Sequence, residues 1–171
     1  MIFPFDVALV TAFHGIVAGS SILSAVAIFC AHYLPFLTAF LSVFLILSHE
    51  SRAARFIVVY GGIAVAMVVL LALQIIIGRQ RPFEAVSGVK SLIGWPLGAS
   101  FPSGHAMFFS ALASGMYVGN KELGLLFACL ALVIGVSRIA VGVHWPTDII
   151  AGLILGWLVA GVSHTAFFQK L

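Results

Sequence analysis

The stretch Ser137-Arg138-Ile139-Ala140-Val141-Gly142-Val143-His144-Trp145-Pro146-Thr147-Asp148 reads S-R-x5-H-x3-D and places an arginine, a histidine and an aspartate within eleven residues. It lies between two apolar runs. Ionisable groups beside hydrocarbon are expensive, so three together mark a site. Pro146 suits the first turn of a helix, which would put Asp148 in that turn and His144 just before it. An aspartate there can accept an imidazole N–H, fix the tautomer and leave the other ring nitrogen as a lone pair. A histidine oriented in this way is a nucleophile. Taken alone, the pair reads equally as a helix-capping aspartate and an interfacial histidine.

Two further stretches add to it. In Pro102-Ser103-Gly104-His105, Ser103 is a favoured N-cap before an apolar run. The helix start offers free backbone N–H groups and a dipole to an anion. Gly104 would let the backbone approach a phosphate, and His105 in the first turn can protonate a departing oxygen. Arg81 and Arg138 lie at predicted helix ends on the His144 side, and arginine binds phosphate oxygens bidentately. Arg79 and Lys90 read rather as interfacial anchors that snorkel to headgroups. Two arginines, two histidines and an anion-ready helix start on one membrane face suit phosphoryl transfer. Its loose transition state is stabilised by fixed cations and N–H donors. The sequence has no Cys/His spacing of a metal site, and neither a metal nor another cofactor is expected.

The elements that must position these residues follow from composition. The chain has 171 residues, 63% hydrophobic and 8% charged, against about 25% charged in a soluble domain. So much apolar surface must meet lipid. The expectation is an all-α, multi-pass transmembrane bundle of about five spans. It forms a single integral-membrane domain over 1–171, with the motifs in 56–168. The net charge of +3, without a Lys/Arg tract, excludes a nucleic-acid partner. Cys30 and Cys129 sit in apolar runs and read as packing residues.

Residues 1–19, with Pro4 and Asp6, read as a short helix lying in the interface, without a cleavable signal peptide. Spans are expected at about 20–47, 56–77, 105–119, 123–141 and 147–168. His32 in the first is a packing residue, and Pro35 a possible kink. The second should stop near Arg81, before Pro82. The loop 83–101 is long enough to have a job, and Trp95 suggests contact with the interface. Gly115-x3-Gly119 and Gly152-x3-Gly156 allow close helix packing. Counting spans puts Arg81, His105, His144 and Asp148 on one side, and Arg52, Arg55, Lys121 and Lys170 on the other. With Arg79, Arg81 and Arg138 assigned to a phosphate site, the positive-inside rule puts the site outside the cytoplasm.

Arg81-Pro82, P-S-G-H at 102–105 and S-R-x5-H-x3-D at 137–148 together resemble the three signature motifs of the type 2 phosphatidic acid phosphatase family. The likeness extends to motif order and span pattern. It implies a membrane-integral lipid phosphatase in which His144 forms a phosphohistidine, Asp148 supports it and His105 protonates the leaving group. Arg81, Ser103, Gly104 and Arg138 would hold the phosphate, and water would release it without a metal.

The first motif departs from the family at Gln74, where a lysine usually stands seven residues before the arginine. Two helical turns would keep Gln74 facing the site, as an uncharged phosphate ligand. Small size, the FDVALVTAFHG opening and Arg81-Pro82-Phe83 are most similar to the small bacterial undecaprenyl-diphosphatases, although that branch commonly has aspartate at the place of Gly104. The implied substrate is a polyprenyl diphosphate. Phosphatidylglycerophosphate, phosphatidic acid and lipid A phosphate are the alternatives within the family. Readings from other classes are a lipid or anion transporter, which needs no nucleophile, and a purely structural membrane protein. The implied partners are the lipid phosphate and the surrounding membrane lipids; the oligomeric state is left open.

Overall fold

The computed structural model describes residues 2–168, with side chains as far as His164. Pro4, free of any need for an N–H donor, opens α1 (Pro4–Ala18). Asp6, Val10 and His14, one per turn, are its buried face, while Phe5, Leu9, Phe13 and Ile16 point outward. The ionisable residues of α1 therefore face protein, and its apolar residues are left for lipid.

Ser20 caps α2 (Ser21–Ile28), which runs through one wide π turn at Phe29–Tyr33 into α3 (Leu34–Leu47). The wide turn has a cause in Pro35. Proline has no N–H, so the carbonyl of Ala31, four residues earlier, lacks its helical donor. That carbonyl instead accepts Nη1 of Arg138 at 3.1 Å. His32 lies on the outside of this turn, edge-on to Tyr33 and Phe36.

Gly78 ends α4 (Arg52–Ile77) in the left-handed conformation, at φ +56°. The helix thus stops earlier than the expected boundary near Arg81, because a glycine supplies the break before the proline can. The short α5 (Pro82–Ala85) follows. Then come α6 (Gly104–Gly119), α7 (Lys121–Ala140) and α8 (Pro146–Phe168).

Among the described residues, four stretches are long and apolar enough to cross a membrane: Ser21–Leu47, Arg52–Ala85, Lys121–Ala140 and Pro146–His164. The chain is an all-helical, multi-pass membrane protein. The expected third span, α6, has 16 residues and is shorter than these. It runs through the middle of the bundle against α4, α7 and α8, buried from Ala106 to Met116 on nearly every face. Cys30 and Cys129 form no disulfide. Lys170, counted above in the charge balance, lies outside the described residues.

Glycines bring α6 and α8 together. A Cβ on Gly156 would come 2.2 Å from the Met107 carbonyl oxygen, and one on Gly152 would come 2.8 Å from that of Ser103. A Cβ on Gly115 would come 3.1 Å from Cα of Val59, on α4. The small-residue spacings are packing seams, as expected. Their effect is to set the start of α8 beside the start of α6, where the Ser103 N–H donates to the Asp148 carbonyl at 3.1 Å.

Candidate active site

The turn from α7 to α8 carries the histidine inward. Gly142 makes it at φ +79°, and a Cβ there would come 2.8 Å from the Lys90 carbonyl oxygen. Only a residue without a side chain fits both the conformation and the space. His144 follows, almost wholly buried. Trp145, next, is fully buried and donates Nε1–H to the Gln80 carbonyl at 2.9 Å. Asp148, in the first turn of α8, accepts the Trp145 backbone N–H at 2.9 Å through Oδ2. The helix-capping reading of this aspartate is therefore met.

Nδ1 of His144 lies 2.9 Å from the Ser100 carbonyl oxygen. A carbonyl only accepts, so Nδ1 carries the proton and Nε2 keeps its lone pair. Nη1 of Arg81 donates to that lone pair at 3.2 Å. Asp148 stands behind the ring as expected, with Oδ2 3.5 Å from Nδ1. The nearer acceptor, however, is the Ser100 backbone. The reason is that Oδ2 is already occupied by the Trp145 N–H and the Ser100 hydroxyl. Burial lowers the His144 pKa from its usual 6.5 to about 4. The Asp148 carboxylate opposes this, and the charges of Arg81 and Arg138 add to it. The ring is neutral at physiological pH.

All five N–H groups of Arg81 are engaged. Nε donates to the Gly98 carbonyl, Nη2 to those of Leu97 and Ala99, and Nη1 to Val143 and to His144. Arg138 is different: its buried Nε has no partner among the described residues. An unused guanidinium donor in a buried place fits an anion. His105, half-buried in the first turn of α6, lies within electrostatic reach of Arg138, His144 and Arg81. It opens onto an apolar groove of ≈ 330 Å³, lined by Pro35, Phe36, Met67 and Phe108 among others. Ser103 caps α6, its hydroxyl accepting the Ala106 N–H at 3.4 Å. The structure thus gathers His144, Asp148, His105, Arg81, Ser103, Gly104 and Arg138 at one end of the bundle.

The PAP2 superfamily profile matches residues 54–171, more than half of the chain. The chain belongs to the PAP2 superfamily. A bacitracin transport permease protein, BcrC, of Bacillus licheniformis is 34% identical over 146 residues, 82% of this chain and 70% of that one. The undecaprenyl-diphosphatase BcrC of Bacillus subtilis is 29% identical over 152 residues, covering 86% and 77%. The crystal structure of Aquifex aeolicus LpxE superposes with a TM-score of 0.78 at 25% identity, over 95% of this chain and 96% of that one. As a PAP2 member the chain is a membrane-integral lipid phosphatase, a hydrolase.

Arg79 of this PAP2 protein differs from the role its sequence suggests, while Gln74 and Gly104 have protein neighbours of their own. The Gln74 amide donates to the Pro102 carbonyl at 3.3 Å. It braces the segment before Ser103. The missing side chain of Gly104 faces Leu70, where a Cβ would come 3.2 Å from Cδ2. Glycine at this place serves packing of α6 on α4. Arg79 is no interfacial anchor: it is buried, with Nη1 2.5 Å from Oδ1 of Asp148 and Nη2 2.5 Å from Oδ2 of Asp6. Two carboxylates hold the guanidinium inside, so it has no reason to snorkel. Lys90, by contrast, is exposed as expected.

Sequence reasoning missed Ser100, Thr147 and Asp6 as parts of this PAP2 site. A signal existed for Asp6. It is the one acidic residue in the first 19, and the cost of a charge near hydrocarbon applies to it as well. Among the described residues, no group of three His, Cys, Asp or Glu side chains assembles a metal site.

Proposed function

We propose that this PAP2 protein removes the terminal phosphate of a polyprenyl diphosphate, undecaprenyl diphosphate foremost, through a phosphohistidine at His144. The observation that carries this is the Nδ1 proton committed to the Ser100 carbonyl, which leaves a lone pair on Nε2 beside Arg81. Nε2 attacks the terminal phosphorus, and the bond from phosphorus to the bridging oxygen breaks. His105, neutral in the empty site, takes up a proton as the anionic diphosphate binds and gives it to that oxygen, and the lipid monophosphate leaves. The phosphorylated ring is cationic, and Asp148 lies behind it to balance the charge. Arg81, Arg138 and the backbone N–H groups of Gly104 and His105 at the start of α6 hold the oxygens of the transferring group. A water molecule, deprotonated by His105, then attacks the phosphohistidine, inorganic phosphate departs and the Nε2 lone pair is restored.

The apolar groove beside His105 suits a substrate whose chain stays in lipid while its phosphate reaches the histidines. The activity for which the B. subtilis relative is named agrees with a polyprenyl diphosphate. Charge placement supports an extracytoplasmic site. Arg79, Arg81 and Arg138 are all buried in the site region, which leaves exposed Lys90 at that end. Exposed Arg52 and Lys121 and half-buried Arg55 lie at the other. Residues 1–171 act as one domain in this reading, since α1 packs against α7 and α8.

The name of the B. licheniformis relative favours transport as a second reading. One assay separates the two. Purified protein is given undecaprenyl diphosphate beside phosphatidic acid, phosphatidylglycerophosphate and lipid A phosphate, and released phosphate is measured. Undecaprenyl diphosphate should be the best substrate, and His144→Ala should lower release by at least about 10³-fold while lipid still binds. Undiminished release by that variant, or movement of lipid without release, would overturn the proposal.

A further inference from the structure

Asp6 lies outside the region matched by the family profile, which begins at residue 54, yet it is fully buried against the start of α8. Its Oδ2 accepts Nη2 of Arg79 at 2.5 Å and the Thr147 hydroxyl at 2.7 Å. Its Oδ1 accepts the Thr147 backbone N–H at 3.1 Å. Arg79 in turn donates Nη1 to that hydroxyl at 2.7 Å and to Oδ1 of Asp148 at 2.5 Å. Asp6, Arg79 and Thr147 thus close a ring of hydrogen bonds that ends on the aspartate behind His144.

The rest of the buried face of α1 points to the same place. Nδ1 of His14 donates to the Ala140 carbonyl at 3.1 Å, and Nε2 accepts the Lys90 N–H at 3.3 Å. One helix therefore clasps the loop before the site, the end of α7 and the first turn of α8.

We infer that Asp6 is a positioning residue for the phosphoryl transfer: through Arg79 and Thr147, it sets the place and charge of Asp148, and so of the His144 imidazole. The physical reason is a division of charge. One guanidinium is shared by two carboxylates, so Asp148 is only partly neutralised and can stabilise the cationic ring that forms on phosphorylation. Without the Asp6 charge, Arg79 turns wholly to Asp148 and draws that stabilisation away. Asparagine at position 6 would also aim an NH2 group at donors. Asp6 touches no atom of the transferring phosphate, so its loss should slow the chemical step and leave substrate binding intact.

This rests on the proposed His144 chemistry, and the experiment keeps the two apart. Asp6→Asn, Asp6→Glu, Arg79→Gln, the double variant Asp6→Asn/Arg79→Gln and His144→Ala are assayed in detergent with undecaprenyl diphosphate, each checked for a monodisperse, cooperatively unfolding species. Asp6→Asn should lower kcat by about 10- to 100-fold with KM within about 3-fold. Asp6→Glu should recover part of the loss. The double variant should be no worse than Arg79→Gln, because the two residues act as one unit. An Asp6→Asn kcat within about 2-fold of the parent, or losses that multiply in the double variant, would overturn the inference while His144→Ala stays inactive. An active His144→Ala would instead overturn the mechanism beneath it. If Asp6→Asn does not fold, the Arg79→Gln variant decides: an unchanged kcat for Arg79→Gln refutes it.

Discussion

At the scale of the residue, His144 is defined by what surrounds it rather than by its own ordinary chemistry. Burial holds its pKa near 4, below the usual 6.5. A nucleophile must be neutral, so the acid limb of kcat/KM, which reports the free enzyme, should fall well below pH 6. The sign for stability is the same. The neutral buried ring contributes fully above pH 6.5, and that contribution is lost as pH falls from 6.5 toward about 4. A kcat/KM profile measured from pH 3.5 to 8 checks it: an acid limb centred near 6.5 would mean that the imidazole titrates as in water. The types and spacing of His144, Asp148 and His105 were legible in the sequence because each lies in a short local motif. The Ser100 carbonyl that sets the tautomer was not. A backbone acceptor has no residue type to betray it. Nor was the pair of Asp6 and Arg79, whose partners are 73 residues apart.

At the scale of the element, the starts of α6 and α8 are brought together by glycines outside the motifs as well as by the Ser103–Asp148 hydrogen bond. Gly156→Ala would place a methyl 2.2 Å from a backbone oxygen of α6, which cannot rotate away. The helices must part, at an expected cost of about 1–3 kcal/mol. Gly61→Ala, where the added Cβ would meet nothing within 4 Å, is the control and should unfold at or above the parent temperature. Thermal unfolding in detergent measures both. Equal midpoints for the two variants would show that the seam tolerates separation. Helix spans and seams were readable from hydropathy and small-residue spacing. The wide turn before Pro35 was foreseen only as a kink. Its use, a carbonyl freed for Arg138, depends on a helix more than 100 residues away.

At the scale of the whole molecule, the fold buries Arg79, Arg81 and Arg138 and exposes Lys90, Arg52 and Lys121, and the proposed extracytoplasmic site can be tested on the exposed ones. In a variant with Cys30 and Cys129 replaced, Lys90→Cys should react with an impermeant maleimide added outside intact cells, and Lys121→Cys only after permeabilisation. The opposite pattern would place the site in the cytoplasm. The all-helical class was plain from composition. The share of α1 in the site was not, because amphipathic patterning gives the inner face of a helix but not the neighbour it meets.

Arg81 spends every donor on the protein before any lipid arrives. In the proposed reaction a phosphate would gain its grip by exchange, trading places with a ring nitrogen or a carbonyl, so little net attraction would accrue to the resting substrate. The gain comes when charge spreads over the oxygens in flight, which is where a catalyst, as opposed to a receptor, needs it.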